Sequence, residues 1–266
     1  MLLPSPMGKK ARGILLQLAF VLLFIILWQA IVVVSKVPPY IMATPVDTAK
    51  ALVEHAGFLF GNVVVTLKDA LLGFAIGAVV GFAAAFLVVY SEALDKFFSP
   101  LMVVAQTTPK IALAPLILLW FGHGVFSRAL VSALMVFYVI MMNTVKGLKS
   151  TDMELLYLMR SYGASFFQTL RKVMIPSALP FIFVGLRIGM LLSLSGAIIA
   201  ELLGYDRGLG YVVASANSLL DIPLLFGALI VISSVGFLLH YSMIIAEKFL
   251  LRWHVSQFGE ENSETA

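Results

Sequence analysis

The chain has 266 residues, 61% of them hydrophobic and 12% charged, with a mean hydropathy of +1.02 and a net charge of +4. A soluble domain is about 45–50% apolar and about 25% charged, so lipid must solvate much of this surface. Cysteine is absent, which excludes disulfide frameworks, iron–sulfur clusters and zinc–thiolate sites, and the small positive charge bears on membrane topology rather than on nucleic acid.

A spanning helix needs about 20 mostly apolar residues. Lys9, Lys10 and Arg12 precede an apolar run over residues 14–34. That run is longer than the roughly 7–15 residues of a cleavable signal core and no small-residue cleavage site follows it, so it reads as a retained first span. Pro38, Pro39, Pro45, Asp47, Lys50, Glu54 and His55 mark a loop and then a short amphipathic helix. A second span is expected at about residues 70–90 and a charged turn with Glu92, Asp95 and Lys96 at 91–99. A third span at 101–121 is expected to be interrupted by Pro109 and Pro115. Gly122, His123 and Gly124 turn the chain into a fourth span at about 129–145. Residues 146–177 form the longest polar segment, followed by a fifth span at about 179–203. A less apolar stretch at 204–223 leads to a sixth span at about 224–250. The sequence thus predicts an all-α, polytopic bundle of about six transmembrane helices.

Two ridges of small residues recur at every fourth position: Gly73, Gly77, Gly81 and Ala85, then Gly185, Gly189, Ser193 and Ala197. Such spacing lets helix backbones approach closely. Packing is the plainer reading and lining a pathway the sharper one; either places both helices in the bundle interior.

Basic residues set the orientation. With the N-terminus inside, one side collects Lys9, Lys10, Arg12, Lys96, Lys146, Lys149, Arg160, Arg171, Lys172, Lys248 and Arg252, and the other only Lys36, Lys50, Arg128 and Arg207. Both termini and segment 146–177 are therefore expected in the cytoplasm. The organisation read from this is residues 1–60 (N-terminal segment, first span and external loop), 61–255 (core) and 256–266 (an acidic tail expected to be disordered).

Segment 146–177 is long for a helix connection of about 2–8 residues, and it is patterned. Leu155, Leu156, Leu158, Met159 and Tyr162 sit at helical spacing among Asp152, Glu154 and Arg160. Gly163 stops that helix and Ser165 can cap a second, at 166–173, that carries Arg171 and Lys172 and ends before Pro176. Two short amphipathic helices about a glycine hinge make either a docking surface or an interfacial element on lipid headgroups; composition leaves both open.

The run from Tyr157 to Pro180 resembles the E-A-A loop of ABC-importer permeases, with Gly163 and Pro176 in register and Val173 and Ile175 as conservative replacements. Tyr157, Leu158 and Met159 stand where that family has its E-A-A triplet. Pro109, Ala112, Leu113, Pro115, Leu116, Trp120, Phe121 and Gly122 resemble the P-x-x-A-L-x-P-L-x-x-x-W-F-G stretch of the nitrate/sulfonate/taurine branch. Asn143, Thr144 and Gly147 resemble its N-T-x-x-G, and Gly185, Leu186 and Arg187 its G-L-R. Ala200 and Glu201 resemble its A-E, and Gly208, Leu209, Gly210 and Tyr211 its G-L-G-Y. Asp69 stands where that branch has an arginine. The resemblance covers about residues 66–211.

It implies the type I importer permease fold in a bacterial inner membrane, a second permease copy, two ATPase subunits that bind ATP and magnesium, and a periplasmic or surface-anchored substrate-binding protein. It also implies that Tyr157, Leu158, Met159, Arg160, Tyr162, Gly163, Ala164, Ser165, Phe166 and Pro176 seat the loop on the ATPase. The solute is expected to be a small anion such as nitrate, taurine or an alkanesulfonate, with no cofactor on this chain. The motif inventory agrees with that division of labour. No G-x-x-x-x-G-K-[ST] phosphate loop, H-E-x-x-H or G-x-S-x-G occurs, and His55, His123, His240 and His254 are scattered. An intramembrane enzyme ranks last. A secondary transporter or channel would need a charged relay and broken helices in both halves, and only the third span is clearly broken.

A charge at mid-span costs about 2.5–3.5 kcal/mol, so intramembrane polar residues should face protein or water. Lys110, between two prolines, either attracts an anionic solute or pairs with a freed carbonyl or a carboxylate. Arg187 is expected to snorkel to the interface. Glu201 either pairs with Arg207, the plainer reading, or shapes an outer gate. Gln106, Thr107, Thr108 and Asn143 are the uncharged pathway candidates.

Overall fold

The computed structural model describes residues 6–203 and 206–251, and among these all regular structure is helical. Among the described residues, five helices are long and apolar enough to cross a membrane: Leu15–Val34, Ala56–Tyr90, Val125–Lys149, Phe166–Leu202 and Ile222–Leu250. The chain divides into two compact units, residues 1–60 with 212–231, and residues 61–211 with 232–266.

In the first unit, α1 (Pro6–Val34) is apolar all round and leaves Leu16, Phe20, Phe24 and Val34 exposed, as a helix solvated by lipid does. After it, α2 (Pro45–Glu54) starts where the sequence signals a start. Thr44 caps it by accepting from the Asp47 amide at 3.1 Å, and Pro45 sits in the first turn, where a missing N–H costs nothing. Trp28 of α1 packs at 5.4 Å on Phe226.

The second unit is built around α6 (Val125–Lys149), which lies between α3 (Ala56–Tyr90) and α9 (Ile175–Leu202). Both small-residue ridges face α6. Gly73 abuts Ser132, Gly77 abuts Val136 and Gly81 abuts Ile140 from one side; Gly185 and Gly189 abut Ile140 from the other. Ser132 adds a hydrogen bond to the Ser193 carbonyl at 2.7 Å. The ridges are therefore packing surfaces, and α6 is the enclosed helix between them. A core of Leu148, Leu170, Met174, Ala178 and Ile182 closes one end, with Phe82, Phe86, Leu156 and Phe166 against it.

Several expected boundaries move. The charged turn at 91–99 is instead the start of α4 (Glu92–Thr107); Glu92 and Asp95 lie in its first turn, where the helix dipole favours carboxylates. The third span breaks once, at Thr108–Pro109. A 3₁₀ turn (Lys110–Leu113) and α5 (Ala114–Phe121) follow, and Pro115 lies in the first turn of α5, where proline is accommodated. The stretch 204–223 contains a further helix, α10 (Leu209–Ser218), ahead of α11 (Ile222–Leu250).

The second loop helix does not end before Pro176. After α7 (Met153–Ser161), α8 (Phe166–Thr169) passes through a π turn (Leu170–Met174) into α9, giving one helix of 37 residues. The Ile175 amide bonds back five residues to the Leu170 carbonyl. This widened turn immediately precedes Pro176, whose ring and missing donor would disrupt a regular α turn. The expected tail at 256–266 lies outside the described residues.

Candidate functional site

The turn between α7 and α8 is fixed at both sides by local sequence. Asp152 caps α7 by accepting from the Glu154 amide at 2.9 Å. At the other end Gly163, at φ +67°, donates to the Arg160 carbonyl at 2.9 Å, and Ala164 donates to Met159 at 3.0 Å. These two bonds form a Schellman stop, which needs the left-handed backbone that glycine adopts without penalty. One residue later a capping box begins α8. The Ser165 amide donates to Gln168 Oε1 at 2.8 Å, and the Gln168 amide donates back to Ser165 Oγ.

Leu156 and Met159 point inward, while Leu155, Tyr157, Leu158, Arg160 and Tyr162 are exposed, Tyr162 at 81%. Phe166 stacks edge-on against Tyr90 at 5.1 Å, which ties α8 to the end of α3. Lys149 and Asp95 pair at 2.6 Å beside it. The result is a stiff turn with an outward apolar face, not a disordered loop.

The broken third span places the pathway candidates differently from one another. The hydroxyls of Thr107 and Thr108 both turn back to the Val104 carbonyl, at 3.1 and 2.8 Å. Asn143 Nδ2 donates to the Val139 carbonyl of its own helix at 2.8 Å. The side chain of Gln106 lies outside the described ones. Lys110 meets neither a carbonyl nor a carboxylate among the described residues; its ammonium sits 4.9 Å from the centre of the Tyr138 ring. Arg187 pairs at 3.3 Å with Glu247, near the C-terminal end of α11, a partner that the sequence alone did not point to.

At the far end of α3, Asn62, Thr66 and Asp69 fall on one helix face at intervals of four and three, and all three are buried. Asn62 and Thr66, with Glu201 of α9, hold the start of α10. Gly208 N donates to Asn62 Oδ1 at 2.7 Å, Leu209 N to Thr66 Oγ1 at 2.8 Å and Gly210 N to Glu201 Oε2 at 2.8 Å. Thr66 Oγ1 donates in turn to Glu201 Oε2. The opening amides of α10, which have no acceptor within their own helix, thus find caps on α3 and α9, and a carboxylate sits at the positive end of the helix dipole. Arg128 of α6 closes the cluster with an ion pair to Asp69. The expected Glu201–Arg207 pair does not form. Arg207 is exposed and lies 3.9 Å from Asp206, while Glu201 is turned inward, 1% exposed. Two donors, the Thr66 hydroxyl and the Gly210 amide, meet its Oε2 there and offset part of the desolvation.

A family model described as the inner membrane component of binding-protein-dependent transport systems matches residues 73–253. The chain belongs to this family of ABC importer permeases. It is 34% identical over 237 residues to a riboflavin transport system permease protein of Chloroflexus aurantiacus, covering 88% of each chain. It is 31% identical over 255 residues to a putative aliphatic sulfonates transport permease protein of Bacillus subtilis, covering 95% of this chain and 92% of the other. Its fold is that of a solved methionine ABC transporter, MetNI, in an inward-facing conformation. The TM-score is 0.66 at 18% identity, over 73% of this chain and 97% of that one.

Two permease motifs read separately in the sequence meet in one place. Glu201 and the Gly208-Leu209-Gly210 segment are the two sides of the α10 cap. Gly208 adopts φ +102°, and any side chain there would run into the Glu201 carboxylate. Sequence reasoning missed Asn62, Thr66 and the Asp69–Arg128 pair. The signal available was the polar stripe 62-66-69 on an otherwise apolar helix.

Proposed function

We propose that this permease, as a homodimer, is the membrane-embedded part of an ATP-driven importer in the bacterial inner membrane. A substrate-binding protein delivers a small solute at the outer face, and two separate ATPase subunits, which carry the ATP and magnesium, bind the inner face. Both termini lie in the cytoplasm, in keeping with the excess of lysine and arginine on that side.

The observation that carries this reading is the α7–α8 turn: an exposed apolar face of Leu155, Tyr157, Leu158 and Tyr162 on a turn locked by a Schellman stop and a capping box. A face meant only for lipid headgroups needs no such rigidity; one that transmits force does. The turn leads into the single helix Phe166–Leu202, about 55 Å long at 1.5 Å per residue, which ends at the α10 cap. Closure of the ATPases would push this lever and bias the bundle between two states. The solute class we favour is a small anion such as nitrate, taurine or an alkanesulfonate. The sulfonate permease relative supports it, although the riboflavin relative is as similar.

Co-expression with neighbouring genes and purification in detergent tests the assignment. An ATPase that co-elutes with the permease, and is lost when Leu158 and Tyr162 are both changed to aspartate, is the expected result. A permease that elutes alone would overturn it.

A further inference from the structure

We propose that Lys110 and Tyr138 form an anion-attracting site halfway across the membrane, one that takes a sulfonate- or carboxylate-like headgroup on its way through. The inference deepens the importer reading and rests on it for the word "transport", but the site itself stands on geometry.

Tyr138 lies thirteen residues into α6, about 20 Å from its start and close to the middle of a helix of 25 residues. Lys110 opens the 3₁₀ turn that follows the break at Thr108–Pro109, so its Cα sits where the third span has lost regular helix. Its ammonium is 4.9 Å from the Tyr138 ring centre, and both residues are half-buried. Arg128, Arg187 and Lys149 pair with Asp69, Glu247 and Asp95, while Lys146, in the last turn of α6, rests on the Phe181 ring at 5.6 Å. Among the described residues no carboxylate comes within ion-pair distance of Lys110.

A ring face offers a cation about 0.5–2 kcal/mol, less than the about 2.5–3.5 kcal/mol that a mid-span lysine costs. Water and an anion that reach the ammonium would meet the shortfall; non-helical backbone at membrane depth is tolerated where it is buried in protein or lines a water-filled cavity, and the partial exposure of Lys110 fits the second. The neighbouring hydroxyls of Thr107 and Thr108, and the amide of Asn143, spend donors on their own helices. Lys110 is thus the charged donor of this region that local structure leaves to a visiting ligand. The aromatic face holds it in place without neutralising it.

The natural absence of cysteine allows a direct test. Thr108→Cys places one thiol two residues from Lys110 in the full-length permease. The probes are a negatively charged ethylsulfonate thiosulfonate reagent and a positively charged trimethylammonium one, applied to membrane vesicles. The expected result is labelling at least tenfold faster by the sulfonate reagent. That preference is kept with Lys110→Arg, reduced to parity with Lys110→Gln and weakened with Tyr138→Leu. Equal rates with Lys110 present would overturn the site, as would a preference indifferent to Lys110→Gln. No labelling from either side would show a dry, protein-filled contact and overturn it too. Vesicles of phosphatidylcholine alone and with added phosphatidylglycerol separate the sources of the anion. A preference abolished by the anionic lipid would assign Lys110 to headgroups and remove the site. None of these readouts needs the ATPase, so failure here and failure of the ATPase to co-elute are independent results.

Discussion

Thr66 Oγ1 donates to Glu201 Oε2 at 2.9 Å across 135 residues of sequence, while accepting the Leu209 amide at 2.8 Å. One hydroxyl therefore joins three helices. Thr66→Val keeps the shape and removes both bonds, leaving a buried amide and part of a buried carboxylate unmet, at about 1–3 kcal/mol. The melting temperature in detergent, followed by tryptophan fluorescence, should fall for Thr66→Val and recover for Thr66→Ser. Identical melting of the valine variant and the wild type would show that the cap does not hold the helices.

The Asp69–Arg128 pair is as deeply placed, with side-chain exposures of 1% and 10%. Removing one member strands the other, at about 3–5 kcal/mol, whereas replacing both by apolar residues of similar size is close to neutral. We expect Asp69→Leu or Arg128→Met alone to lose most folded protein on size-exclusion chromatography, and the double variant to regain it. The exchange Asp69→Arg with Arg128→Asp should recover part as well, since the pair and not its polarity is what the packing requires. Additive losses in the double variant would contradict the pairing.

Glycine is needed for different reasons at the two turns. A methyl at Gly163 meets open space, so Gly163→Ala costs only the left-handed backbone, about 1–2 kcal/mol. At Gly208 a φ of +102°, beyond the left-handed helical region, is joined by a collision with the Glu201 carboxylate. Gly208→Ala should therefore destabilise the permease clearly more than Gly163→Ala. Gly163→Asp should leave the fold in place but lower ATPase stimulation by the assembled importer at least tenfold, because it puts a charge on the docking turn. Normal stimulation in that variant would remove the turn from the mechanism.

What the sequence made legible were features whose cause is local. Gly163 and Ser165 announce a helix stop and a helix start within three residues, and the structure has both. Apolar runs located the five helices long enough to cross, and Pro109 located the break that divides the expected third span between α4, a 3₁₀ turn and α5. What stayed hidden depended on partners distant in the chain. Glu201 looked destined for Arg207, six residues on, but a buried carboxylate is placed by the donors around it, and its two, the Thr66 hydroxyl and the Gly210 amide, came from α3 and α10. Pro176 looked like a helix end because the π turn that accommodates it leaves no mark in hydrophobic periodicity. Asp69 was an unexplained departure until α6 supplied Arg128.

Gly77 and Gly189, one from each small-residue ridge, look equivalent in sequence, and their surroundings differ. A methyl at Gly77 would lie 2.7 Å from the Ala133 carbonyl oxygen and 2.7 Å from Val136 Cβ, atoms close to the α6 backbone that cannot step aside. A methyl at Gly189 would meet the outer atoms of Ile140, Cγ1 at 3.3 Å and Cδ1 at 3.4 Å, which a small side-chain rotation clears. Gly77→Ala should thus push α3 off α6 and cost about 1–3 kcal/mol. Gly189→Ala should come within about 1 kcal/mol of the parent, because the helix propensity gained, up to about 1 kcal/mol, offsets the mild crowding. Melting curves of the two variants side by side decide the matter. Equal losses would mean that the Ile140 side chain cannot turn aside at Gly189, and a tolerated Gly77→Ala would mean that the α3 ridge is not seated on α6 at all.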